Sequence, residues 1–154
     1  MRIFGSATIY LAGSIAAVGA LLHLAAIAGG PAWYAFFNAP PQVVASAHAG
    51  TWLAPVSTSI IAILMGLCAA YAFSAVGRFR RLPLPRLMLG GMAGVCLLRA
   101  LVTIPLAINH PQLRNTFEIV SAVAWGVAGI GFALACLSLI GQGKRPAMST
   151  SEAR

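Results

Sequence analysis

Acidic side chains are almost absent. Glu118 and Glu152 are the only two among 154 residues, and charged residues of every kind make up 8% of the chain. A soluble globular domain carries about 25%, so a molecule wetted over its whole surface is excluded. Cysteine is sparse too: Cys68, Cys96 and Cys136 each stand alone in a different apolar run, with no C-x-x-C. That removes the paired thiols of a redox centre and leaves three small hydrophobes. No H-x-x-x-H spacing or carboxylate triad occurs, so no zinc site is expected. Haem in a four-helix bundle needs facing histidines. Of His23, His48 and His110, only His23 lies clearly inside a helical run, and His110 precedes Pro111 in a connection. No cofactor is expected.

What the chain has is apolar length. Hydrophobic residues make up 60% and the mean hydropathy is +0.89. Four runs, at about 3–29, 53–76, 87–108 and 116–140, can each cross a ~30 Å hydrocarbon layer as a helix. Lipid admits only helices or closed barrels, and runs this long are not barrel strands of about 10 alternating residues. The expected fold is an all-α membrane protein, a four-transmembrane-helix bundle over residues 1–143. A disordered tail is expected at 144–154. Ala26-Ile27-Ala28 resembles a signal-peptidase site, but the apolar stretch before it far exceeds a signal core of roughly 7–15 residues. An uncleaved first helix is expected.

The charges that exist are basic and unevenly placed. The net charge is +8, with Arg78, Arg80, Arg81 and Arg86 in one short connection and Lys144, Arg145 and Arg154 in the tail. With Arg2 these make eight basic residues on one side, against Arg114 alone on the other. Positive-inside reasoning gives a multi-pass protein of the cytoplasmic membrane with both termini inside. Aromatics are not interleaved with the basic cluster in the way single-strand binding requires, so the charge points to anionic lipid and not to nucleic acid.

The first outer connection, Gly30 to Trp52, is rich in Pro31, Pro40 and Pro41 and in Trp33, Tyr34, Phe36, Phe37 and Trp52. Such aromatics suit the headgroup level, and 41–50 reads as a short interfacial helix carrying His48. The same segment, from Trp33 to Trp52, is long enough to roof a pocket. Small residues mark the expected seams, because they let helices approach closely in lipid. They are Ala12, Ala16, Gly19 and Ala20 in the first helix, Gly90 and Gly94 in the third, and Ala122, Gly126, Gly129 and Ala133 in the fourth.

One cation breaks the apolar pattern. Arg99 sits inside the third run, where an unpartnered guanidinium costs a few kcal/mol. It lies ~13 Å below the outer end of its helix, and His23 ~8–9 Å below the end of the first. Glu118 falls in the first turn of the fourth helix. Asn115 three residues before it has capping-box spacing, with Asn in the Ser/Thr place. Thr103 is one turn above Arg99, on the face shared with Met92 and Cys96. Arginine snorkels, so Arg99, His23 and Glu118 are expected to converge in the outer half.

The four-helix layout resembles that of membrane glutathione-handling enzymes and small multidrug transporters. The dense Arg/Asn/Glu set of the first and the deep acid in the first helix of the second are both missing, so the layout implies no function. No nucleophile–base pair is legible. The expectation is a non-enzymatic accessory or lipid- and anion-interacting bundle with a polar centre at Arg99, working alone, as a homo-oligomer or in a larger membrane complex. Its ligand-binding candidates are Arg99, His23, Glu118, Thr103, Trp33 and Trp52. The alternative is a small transporter or membrane enzyme using Arg99, His23 and Glu118 in an outward-facing pocket.

Overall fold

The computed structural model describes residues 2–78, 80, 82–109, 111 and 116–143, with side chains described between residues 6 and 141. Arg81, His110, Arg114, Asn115, Lys144, Arg145, Glu152 and Arg154, the side chain of Arg2 and the 144–154 tail lie outside the described residues. Six helices occur in the order α1 (Arg2–Gly29), α2 (Pro31–Phe36), α3 (Pro41–His48), α4 (Leu53–Ala75), α5 (Pro85–Asn109) and α6 (Thr116–Gly143). Among the described residues there is no strand. Four helices, α1, α4, α5 and α6, are long and apolar enough to cross a membrane. The molecule is an all-α, multi-pass membrane bundle of four spanning helices.

Helix ends follow from local chemistry. Gly30 leaves α1 with φ 70°, and Pro31 then starts α2, where its missing N–H has no helical partner to lose. Asn38 (φ 54°), Gly50 (φ 65°) and Gly77 (φ 79°) stop α2, α3 and α4 in left-handed conformations. Each stop closes the same way: the next residue's N–H reaches five residues back, as from Ala39 to the Tyr34 carbonyl and from Thr51 to that of Ser46. The first outer connection thus holds two short helices. α3 was foreseen; α2 was not, because its six residues are too few to show a period.

The connection is stitched to the spanning helices. The buried Ser46 hydroxyl accepts the Ala54 N–H at 3.0 Å and pairs with the Thr51 hydroxyl at 2.6 Å. It thereby satisfies an orphan donor at the start of α4. At the opposite, basic end, the Tyr71 hydroxyl donates to the Pro83 carbonyl at 3.0 Å. The Arg86 guanidinium donates to the Leu139 carbonyl near the end of α6, also at 3.0 Å. A cation at a helix C-terminus is favourable, so this arginine holds the bundle together as well as adding positive charge.

The core is made of small residues. Ala12, Ala16, Ala69, Ala72, Ala93, Ala128 and Ala135 are buried, and only Phe132 and Leu89 are large and fully enclosed. α1 packs closely on α4 and α6, and α5 on α6, while α4 and α5 touch sparingly. α1 lies close on α6, where a Cβ at Gly131 would lie 2.5 Å from the Ala12 Cβ and 2.8 Å from the Thr8 carbonyl oxygen. On α5 the small-residue expectation holds for Gly90, whose would-be Cβ lies 3.6 Å from Cys136 Sγ of α6, and needs correction for Gly94, which is exposed with nothing within 4 Å. From Gly90 the seam continues through the buried Ala93 and Cys96, beside Leu89.

Candidate functional site

The intramembrane cation finds its acid. Arg99 Nη2 lies 3.8 Å from Glu118 Oε2. The two helices are antiparallel neighbours, and the Gly126–Ala100, Gly129–Leu97 and Gly90–Cys136 approaches fix their register. Continued outward, that register sets Glu118 opposite Ile108, about 14 Å of helix rise above Arg99. The arginine must therefore extend outward to reach the acid, as snorkelling requires. A single contact at 3.8 Å is the far end of that reach and is not a bidentate fork.

Glu118 is held from the other side by a residue that sequence reasoning missed. Asn38 Nδ2 donates to Glu118 Oε1 at 2.9 Å across 80 positions of sequence. Next to it, the Phe37 and Phe117 rings meet at 6.1 Å between centroids, and Phe37 is flanked edge-on by Trp33 and Phe36. Residues 37–38 of the outer connection thus dock on residues 117–118 of α6. The left-handed backbone of Asn38 turns the chain at this point, and a short polar side chain tolerates that conformation. An asparagine between two aromatics and two prolines was a legible turn signal. Its long-range partner was not legible.

The half-open state of the arginine defines the site. The Arg99 side chain is 50% exposed, whereas that of Glu118 is 14% exposed. A guanidinium offers five N–H donors, and one carboxylate oxygen at this distance occupies one edge at most. Thr103, the other α5 candidate, donates its hydroxyl to the Arg99 carbonyl at 2.9 Å, so it braces the backbone of the arginine.

The remaining candidates lie elsewhere. His23 Nδ1 meets the Gly19 carbonyl oxygen at 2.8 Å, which places a proton on Nδ1 because a carbonyl only accepts. Its helix, α1, makes no substantial contact with α5. Trp33 packs over Gly29 and onto Phe37, while Trp52 is 72% exposed at the start of α4. The structure therefore brings together Arg99, Glu118 and Asn38, with Thr103 behind, and leaves His23 on another helix face. Among the described residues no group of three His, Cys, Asp or Glu side chains is placed to hold a metal ion.

No family model matches the sequence, and neither a curated protein nor a solved structure matches the chain. What the site does must be argued from its own geometry.

Proposed function

We propose that this chain is a non-enzymatic bundle of the cytoplasmic membrane. Its Arg99–Glu118–Asn38 clasp holds the headgroup of an anionic lipid in the outer leaflet. One observation carries the reading: among the described residues the arginine has one ionic partner, at one edge, and half its side chain is exposed, although its backbone lies inside a spanning helix. A cation kept there at a cost, with donors to spare, suits a phosphate or carboxylate bound through the free edge. Asn38 holds Glu118 in place, and Glu118 draws the guanidinium outward toward the headgroups. The orientation rests on the basic cluster at the opposite end. The working assembly is the single chain, a homo-oligomer or a larger membrane complex.

The enzyme or transporter alternative needs Arg99, His23 and Glu118 around one pocket. His23 bonds within α1, and none of the three lines the groove between α4 and α5 or the pocket under the outer connection around Tyr34 and Ala54. This arrangement favours the lipid reading.

Native mass spectrometry of gently solubilised protein tests it, since it reads subunit number and bound lipid together. Wild type should retain an anionic lipid, Arg99→Lys less of it, and Arg99→Leu none. Equal retention by wild type and Arg99→Leu would overturn the reading.

A further inference from the structure

The sparing contact between α4 and α5 leaves a groove of about 350 Å³ between them, floored by Trp125 of α6. Its lining is unusual in one element. Met65 and Cys68 come from α4, with the Met65 thioether tip lodged against Gly19 of α1, and Met88, Met92 and Cys96 come from α5. Every methionine whose side chain is described lines this one groove, together with two of the three free cysteines. The spacing explains how. Met88, Met92 and Cys96 repeat every four residues and share one face of α5, and Met65 and Cys68 are three apart on α4. Apart from the Trp125 indole, the rest of the lining is aliphatic or glycine, with no hydroxyl, carboxylate, imidazole or ammonium.

We propose that this groove binds a soft monovalent metal ion, Cu(I) or its analogue Ag(I), through one cysteine thiolate and methionine thioethers. Soft sulfur ligands select such ions, and the hard or nitrogen donors that other metals want are missing here. Charge also balances. Binding replaces the proton of one S–H, which leaves to the buffer, by a singly charged metal ion. The thiolate–metal unit with neutral thioethers then carries no net charge, so the bundle need not bury an unpaired ion in lipid. No electron transfer is involved. The groove lies apart from the Arg99 clasp, whose residues do not line it, so the two proposals stand or fall separately.

A built-in control exists. Cys136 is the one free cysteine away from the groove; its thiol donates to the Arg86 carbonyl at 3.3 Å. The purified, reduced, full-length protein in detergent is titrated anaerobically with Cu(I) against a chromophoric Cu(I) chelator, and separately with Ag(I). One equivalent should bind. Joint Cys68→Ser and Cys96→Ser substitution should weaken binding at least a hundredfold, and Cys136→Ser should leave it unchanged. Joint Met88→Leu and Met92→Leu substitution keeps the apolar volume and, as a volume-conserving change, the fold. It should weaken binding at least tenfold, whereas a groove that merely holds an acyl chain would not register it. X-ray absorption of the loaded protein should show a sulfur-only shell. Failure of wild type to compete with the chelator, binding indifferent to the methionine changes, or equal loss in Cys136→Ser would each overturn the proposal.

Discussion

Removing the two ends of the clasp separately and together gives the sharpest test of its energetics. Two unit charges 4 Å apart attract by about 1 kcal/mol in water and about 4 kcal/mol at an effective dielectric constant of 20. Arg99 and Glu118 stand 3.8 Å apart in a single contact with no bidentate pairing, so a coupling of about 1 kcal/mol is expected. Arg99→Gln and Glu118→Gln should therefore each lower stability, and the double variant should lose about 1 kcal/mol less than the sum. Asn38 adds a second arm. Its 2.9 Å bond to a carboxylate oxygen is charge-assisted but exposed, so Asn38→Gly should cost about 1 kcal/mol while still accepting the positive φ. Asn38→Ala should cost about 1 kcal/mol more, because it meets the left-handed penalty as well. Reversible unfolding in mixed micelles, followed by circular dichroism, measures each. Additivity of the Arg99 and Glu118 changes within about 0.3 kcal/mol would refute the pairing. Equal cost of the glycine and alanine variants would refute the turn argument.

Three further outcomes follow from the packing and the charge distribution. Gly131→Ala should destabilise by about 1–3 kcal/mol in the same assay, because the added methyl meets the fixed Thr8 carbonyl. Gly66→Ala, with open space around it, should not lose stability, and equal losses would deny a tight α1–α6 seam. The buried Tyr34 hydroxyl has no hydrogen-bond partner among the described residues, so Tyr34→Phe should leave stability unchanged or raise it; a loss above about 1 kcal/mol would reveal a partner. Reporter fusions in the Gly77–Pro85 connection should read inside and those near Gln42 outside, and the reverse would move the clasp to the inner leaflet.

Spanning helices were the most legible part of the chain because apolar length is a local property. The observed ends of α1, α4, α5 and α6 differ from the sequence reading by no more than three residues. The Arg99–Glu118 contact was also within reach, since helix rise and side-chain length alone limit which charges can meet. Asn38 was not. Its role depends on a turn that brings residues 37–38 onto 117–118, and nothing in either segment names the other. The seam on α5 was legible only in part for a related reason. Gly90 meets Cys136 of α6, but Gly94 faces open space while Ala93 and Cys96 carry the seam on, because the partner helix decides which small positions are used. His23 shows the limit of depth arguments: equal depth does not bring two helices together, and α1 and α5 are not packing neighbours. The sulfur groove was hidden because its residues come from two helices that barely touch.

The central claim is that the exposed edge of Arg99 engages an anionic headgroup, and lipid-linked stability measures it most directly. A ligand that binds only the folded state stabilises it by RT ln(1 + [L]/Kd), or about 2.7 kcal/mol at a hundredfold excess over Kd. Unfolding of wild type, Arg99→Lys and Arg99→Leu is followed in micelles doped with phosphatidylglycerol or with phosphatidylcholine at matched mole fractions. Wild type should gain 1–3 kcal/mol more from the anionic lipid than from the zwitterionic one, Arg99→Lys about half that surplus, and Arg99→Leu none. The same surplus in wild type and Arg99→Leu, or none in wild type, would contradict the account.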